Sequence, residues 1–285
     1  EMARVQIEAI ERLDYDWAWL QVDDCLEFET LGVGVKGGGD ILPATCDYLP
    51  ATQAGLDSLR EHGYRVEGRM EVLLEAIRLV KDHFGDSVCV TGRTAAPFSS
   101  VTLAFGIDDV LLLTYTEPAF IEEALQFFED YQTQFGLDQL KAGADAIWLG
   151  DCNASLHLIS PQHYREWALE PCRRVAEAIQ DAGGLVYLHN SEENLEGLLL
   201  QTETNPDVLS VGPGLDISLA IEALEGKQAI MGNIDPIEML TDSSASEVAA
   251  ETGRQVRLMA GGGCILNSGE CVPREAKREN MHAMA

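Results

Sequence analysis

The sequence predicts an α/β protein built as a single (β/α)8 barrel, and three observations carry that prediction. Strand-like and helix-like segments alternate along the chain. Several of the strands are continuous apolar runs, and no linker or shift of composition divides the 285 residues. Continuous apolar runs mark parallel strands covered on both faces, and alternation with helices supplies the crossovers that parallel strands need. An open, doubly wound sheet is the alternative, but no G-x-G-x-x-G motif opens any helix.

The elements follow in order. Residues 14–24 (DYDWAWLQVDD) read as a strand ending in two carboxylates, and the glycine-rich stretch 31–40 (LGVGVKGGGD) reads as a mobile loop. Residues 70–85 carry apolar positions at 73, 74, 77, 80 and 84, the spacing of an amphipathic helix, and stop at Gly85. Strands are expected at 87–93, 144–151, 185–190, 208–212, 228–233 and 263–268. Helical stretches are expected at 119–143, 160–183, 192–201, 217–226, 244–260 and from about 274. Ser160 and Pro161 suit the N-cap and first turn of the second of these. The chain opens inside a helical pattern. Seven strands are counted where a closed barrel needs eight, and the missing one is expected before Glu1.

Composition narrows the function. Acidic residues number 48 against 19 basic ones, a net charge of −29, so the basic stripe that nucleic-acid binding requires is absent. The same charge would repel a polyanionic substrate unless the pocket carried its own arginines. The longest apolar runs fall far short of the ~18 residues of a membrane span, and no basic-then-apolar leader opens the sequence. Seven scattered cysteines form no CxxC pair, which argues against a zinc ribbon and suits a reducing cytoplasm. Cys89 and Cys264 sit inside strands and read as core.

In a barrel of this kind the functional side chains collect at the C-terminal ends of the strands. Those ends carry Asp23 and Asp24; Arg93; Asp151 and Cys152; His189, Asn190 and Ser191; Asp216; Asn233 and Asp235; and Asn267, Glu270 and Cys271. Each alone has a plain structural explanation: Asp216 and Asp235 could simply start a helix or turn. Recurrence at nearly every strand end points to a site. Cys271 lies in a loop beside Glu270, where a soft ligand is reachable.

Four segments carry a family resemblance: GADAIWLGDCNASLHLISPQHYREWALEP (143–171), the strand-end His189, GNIDP (232–236) and ILNSGECVPREAKREN (265–280). Together with the opening YDWAWLQVDDCLEFETLG, they resemble the uroporphyrinogen decarboxylase-like superfamily. That group includes the decarboxylase and the corrinoid-dependent methyltransferases, among them zinc enzymes that methylate coenzyme M. The resemblance implies a (β/α)8 barrel and gives Asp23 the place of the decarboxylase's central aspartate. The decarboxylase's tyrosine falls on Leu103, its late histidine near Glu270, and its arginine-bearing N-terminal segment has no counterpart here. Its substrate carries eight carboxylates, so the methyltransferase branch is the nearer expectation.

In the zinc methyltransferases a His-x-Cys and a later Cys hold the metal. Here the resemblance places His189 and Ser191 on the first motif, Glu270 on the later Cys, and Cys271 one step beyond. The expected metal set is His189, Glu270 and Cys271, with zinc as the ion. Asp23, Asp151 and Asp216 are expected to orient substrate or assist catalysis, and Arg93, Asn190 and Asn233 to bind it. The implied partners are a small-molecule substrate and a corrinoid on a carrier protein, with a homodimer left open. A metal-free decarboxylase or lyase on a smaller substrate is the alternative, and a non-catalytic binding barrel the third reading.

Overall fold

A computed structural model describes residues 1–21, 23–39 and 41–285. Val22, in the expected first strand, and Asp40, at the end of the expected glycine loop, lie outside the described residues. All seven expected strands of the barrel are present: β1 (Trp17–Trp19), β4 (Cys89–Ala95), β5 (Ala146–Gly150), β6 (Leu185–His189), β7 (Val208–Ser210), β8 (Ala229–Ile234) and β9 (Cys264–Ser268). They form one parallel sheet in the order β1-β4-β5-β6-β7-β8-β9. The sheet curls into a half-barrel, and an eighth strand is not among the described residues.

The glycine-rich stretch is not a loop. Gly34–Gly38 (β2) pairs antiparallel with Ile41–Asp47 (β3), with two breaks in register. Gly37 makes the close approach possible, since a Cβ there would stand 2.8 Å from the Pro43 backbone. The hairpin barely buries itself, and Ile41 and Leu42 at its tip are 71% and 67% exposed.

Two cores flank the sheet. The first packs β1 and β4–β8 against helices Met2–Leu13, Arg69–Phe84, Leu169–Asp181 and Ile217–Leu224. In Arg69–Phe84 the expected positions Leu73, Ile77 and Val80 are buried together with Met70 and Ala76, while Leu74 and Phe84 are half-buried at the edge of the stripe. The second lies under Pro97–Phe105, Ile107–Thr116 and Pro118–Lys141. The first two of these helices meet at 111° across Gly106, whose φ of 89° lies in the region that favours glycine. No single helix among the described residues is long and apolar enough to cross a membrane.

The expected helix over 160–183 starts as predicted, with Ser160 accepting from the His163 amide and Pro161 in the first turn. It then widens into a π-turn at Tyr164–Ala168 before Leu169–Asp181. Pro171 explains the break: it cannot donate to the carbonyl of Trp167, and its ring crowds that oxygen.

Candidate active site

Register decides which side chains reach the barrel interior. Across the sheet Arg93, Trp148, Tyr187, Val208 and Ala229 stand in one row, and Ala95, Gly150 and His189 in the next row toward the C-terminal ends. Trp17, Trp19, Trp148, Tyr187, Val208 and Met231 fill the interior as an aromatic plug. His189 sits above it, with its ring centroid 5.4 Å from Trp148 and 6.2 Å from Tyr187. The row of small residues beside it is required by packing. A Cβ on Gly150 would stand 2.2 Å from the Trp148 ring, so that ring can lean against His189 only over a glycine.

Around the imidazole the structure gathers groups from several strand ends. His189 Nε2 lies 3.2 Å from the Ser191 hydroxyl and 3.8 Å from Glu270 Oε1. Ser191, at φ 57°, folds back toward the ring and stands 3.8 Å from Cys152 Sγ. The charged groups that bear electrostatically on His189 are Glu270 and Asp24. Burial lowers the imidazole's pKa and those two carboxylates oppose the shift, so the ring favours its neutral form. Desolvation by the surrounding protein, and then nearby carboxylates, raise the Cys152 thiol, with the Ser191 hydroxyl pulling it down, although the residue keeps an exposed face. Burial, then Glu270 and Asp24, raises Cys271 as well.

Asp151 is fully buried at the end of β5. One of its oxygens accepts from the Ser99 hydroxyl at 2.8 Å, at the start of Pro97–Phe105, and the other has no hydrogen-bond partner. Burial lifts its pKa to about 7 against the pull of Ser99. Its backbone N–H donates to the His189 carbonyl, which ties the two strand ends together. The Asn190 side chain is 1% exposed, and its oxygen has no partner among the described residues.

The other expected site residues are occupied elsewhere. Asp23 pairs with Arg69 and accepts from the Cys25 amide, turning the chain into Leu26–Thr30; its neighbour Asp24 accepts from the Gln21 side chain and contributes to the field at His189. Arg93 is buried in an ion pair with Glu27, and its backbone is clamped by Gln139. The Asn233 amide donates to the Gly212 and Leu215 carbonyls and exchanges bonds with Gln255, so both of its donors hold the framework. Asp216 is exposed and caps Ile217–Leu224 by accepting from the amide and hydroxyl of Ser218. Asp235 starts the turn after β8 by accepting from Ile237 and Glu238.

Other groups escaped the sequence reading. Glu27 is Arg93's partner, and Glu192, wholly buried, accepts from the Leu156 and Asn194 amides to hold the loops after β5 and β6. Trp148 and Tyr187 were detectable, because Tyr187 lies two residues before His189 on one strand face.

The zinc set does not assemble. Among the described residues no group of three or more His, Cys, Asp and Glu side chains stands close enough to hold a metal ion. His189 and Glu270 form a pair, and Ser191 presents a hydroxyl where the resemblance implies a thiolate. A catalytic zinc takes three protein ligands, so these residues do not fit it.

The model of the uroporphyrinogen decarboxylase (URO-D) family matches residues 1–285. The chain belongs to that family. Similar proteins include the methylcobamide:CoM methyltransferases MtbA of Methanosarcina acetivorans and Methanosarcina mazei, 27% and 26% identical over 80% of this chain and over 66% and 67% of theirs. The uroporphyrinogen decarboxylase of Koribacter versatilis is 26% identical over 84% of this chain and 68% of its own. The chain thus spans about two thirds of the length of these curated relatives. A solved methyltransferase from Methanosarcina mazei superposes with a TM-score of 0.88 at 20% identity, over 99% of this chain and 82% of that one. At that identity the likeness speaks for the fold.

Proposed function

We propose that this URO-D-family chain is a methyltransferase that moves a methyl group between a small substrate and a corrinoid carried by a partner protein. The observation that carries the reading is the neutral His189, whose Nε2 faces Ser191 at 3.2 Å and Glu270 at 3.8 Å at the mouth of the half-barrel. Similarity to two methylcobamide:CoM methyltransferases supports it. In the direction of acceptor methylation, His189 Nε2 takes the proton of the acceptor X–H while X attacks the methyl carbon. The Co–C bonding pair stays with cobalt, which goes from Co(III) to Co(I), and X keeps the methyl group. Glu270 and Asp24 stabilise the imidazolium that forms, and the Ser191 hydroxyl and Trp148 ring fix the imidazole's orientation. No step passes through a bound metal.

The test is methyl transfer between methylcobalamin, or a methylated corrinoid protein, and a panel of small thiols, amines and phenols, followed by the cobalamin absorption change. His189→Ala should lower the rate about 100-fold or more. Absence of transfer with every substrate would overturn the reading. A decarboxylase on a small substrate is the second reading, favoured by the match to the Koribacter enzyme and by a buried carboxyl, Asp151, held near neutral pKa. Release of carbon dioxide from a carboxylated substrate would identify it.

A further inference from the structure

We propose that an aromatic pocket on the outer helix layer binds a small quaternary ammonium compound, with the rings of Tyr64, Phe127 and Tyr131 as its walls and Asp130 at its rim. The inference goes beyond the methyltransferase reading and does not depend on it.

The pocket follows from the spacing of one helix. Phe127, Asp130, Tyr131 and Gln134 stand at i, i+3, i+4 and i+7 of Pro118–Lys141, so a single stripe carries all four. Tyr64, from the turn between Gln53–His62 and Arg69–Phe84, stands against that stripe, its ring centroid 5.1 Å from Tyr131 and its plane at 77°. The half-buried Phe127 ring lies 5.9 Å from Tyr131 at 36°. These five residues line a cavity of about 440 Å³, within the range of small-molecule sites.

Both tyrosine hydroxyls are engaged with residues outside that lining. Tyr64 Oη donates to Asp138 at 2.8 Å, and Tyr131 Oη donates to Met70 Sδ at 3.8 Å and lies 3.4 Å from Thr30 Oγ1. Rings are what the pair leaves to a ligand.

Charge then decides the class of ligand. A neutral apolar compound would fit three rings, but a cation also gains from their negative faces. Donation of the Tyr64 proton toward a carboxylate enriches that ring further. Burial and then Asp138 raise the Tyr64 pKa; burial raises Tyr131 against the Thr30 hydroxyl, with Glu27 and Glu67 adding to the rise. Carboxylates thus bear on both phenols, and the exposed carboxylate of Asp130 stands at the cavity itself. A quaternary ammonium suits this set: it has no N–H to satisfy, and it spreads its charge over alkyl groups that pack on rings.

The experiment is an NMR titration of the full chain, carrying isotope-labelled tyrosine rings, at fixed ionic strength. The two probes are choline chloride and neohexyl alcohol, in which carbon replaces the nitrogen and the charge is lost. Choline should shift the Tyr64 and Tyr131 signals to saturation, and the alcohol should bind about tenfold more weakly. Phe127→Leu keeps an apolar side chain but removes a ring, and should weaken choline binding about fivefold. Asp130→Asn should weaken it about threefold. Glu222→Gln, on Ile217–Leu224, should leave it unchanged and so controls for the general attraction of cations to an acidic protein. Should Phe127→Leu fail to fold, Asp130→Asn, at an exposed position, and the comparison with the alcohol still decide.

Absence of choline binding, or equal binding of the alcohol, would overturn the assignment. So would a folded Phe127→Leu with unchanged affinity, or shifts that Glu222→Gln reduces as much as Asp130→Asn does. Choline binding that depends on Phe127 and Asp130 would establish the site whether or not the chain transfers methyl groups.

Discussion

Replacing Asp151 with asparagine tests the electrostatics at the end of β5. The carboxyl is wholly buried, with one oxygen held by Ser99 and the other unpartnered, and its pKa is lifted from 3.8 to about 7. A raised carboxyl pKa means that the folded state binds the proton more tightly than the unfolded one. Its contribution is therefore fully present below about pH 4 and is lost as pH rises toward 7. Each pKa unit is worth ~1.4 kcal/mol, so the gap of roughly three units amounts to about 4 kcal/mol. Asparagine keeps an oxygen for Ser99 and places an uncharged NH2 at the unpartnered position. The assay is urea unfolding of wild type and Asp151→Asn between pH 4 and 8, compared pairwise so that titrations common to both proteins cancel. The variant should gain on wild type as pH rises, by about 2–4 kcal/mol across the window. Stability profiles that run parallel to within about 0.5 kcal/mol would refute the reasoning, because they would mean that Asp151 ionises in the fold as easily as in water.

Two further outcomes follow from the same structure. Glu27→Ala strands Arg93 in the core without its partner and should cost about 3–5 kcal/mol in urea unfolding, whereas Glu27→Ala combined with Arg93→Met should recover much of that loss; equal losses in the two would show that the pair is not coupled. Ser191→Cys places a soft donor two residues after His189 and should raise zinc affinity, measured by competition with a chromophoric chelator, about tenfold or more. Unchanged affinity would show that the β6 end and Glu270 cannot close around one ion.

The strands were legible because each is a short apolar run bounded by polar or glycine residues, and their order follows from the rule that consecutive parallel strands are neighbours. Two kinds of element were not. The hairpin Gly34–Gly38/Ile41–Asp47 has neither apolar alternation nor β-branched density, so its glycines suggested a loop. Helix Pro97–Phe105 is buried nearly all round and lacks a polar face to set its period. Missing that helix also hid Ser99, the partner that fixes Asp151.

At the site the difficulty was direction. Asp23 and Asp24 are adjacent, and only the fold decides their partners: Arg69, distant in sequence, takes Asp23, and Gln21 donates to Asp24. Asp216 and Asp235 share their composition with site carboxylates, but the amides that follow each offer a closer partner than any ligand. Asn233 is taken up by the carbonyls of Gly212 and Leu215 in the loop after β7. His189 was readable because nothing local competes for an imidazole at the end of a buried strand.

The changes around His189 form one pattern. The resemblance implies thiolates on two elements, at the end of β6 and after β9; this chain has Ser191 and Glu270 there, and desolvation and acidic neighbours raise its nearby thiols, Cys152 and Cys271, both of which keep an exposed face. Substituting one soft donor would weaken a zinc site, but substituting both with oxygen groups while keeping the histidine changes what the mouth favours. The support beneath His189 is intact: Gly150 admits the Trp148 ring, and the Asp151 amide fixes the His189 carbonyl. A scaffold that still aims a neutral imidazole at the mouth, 3.8 Å from Glu270, suits accepting a proton.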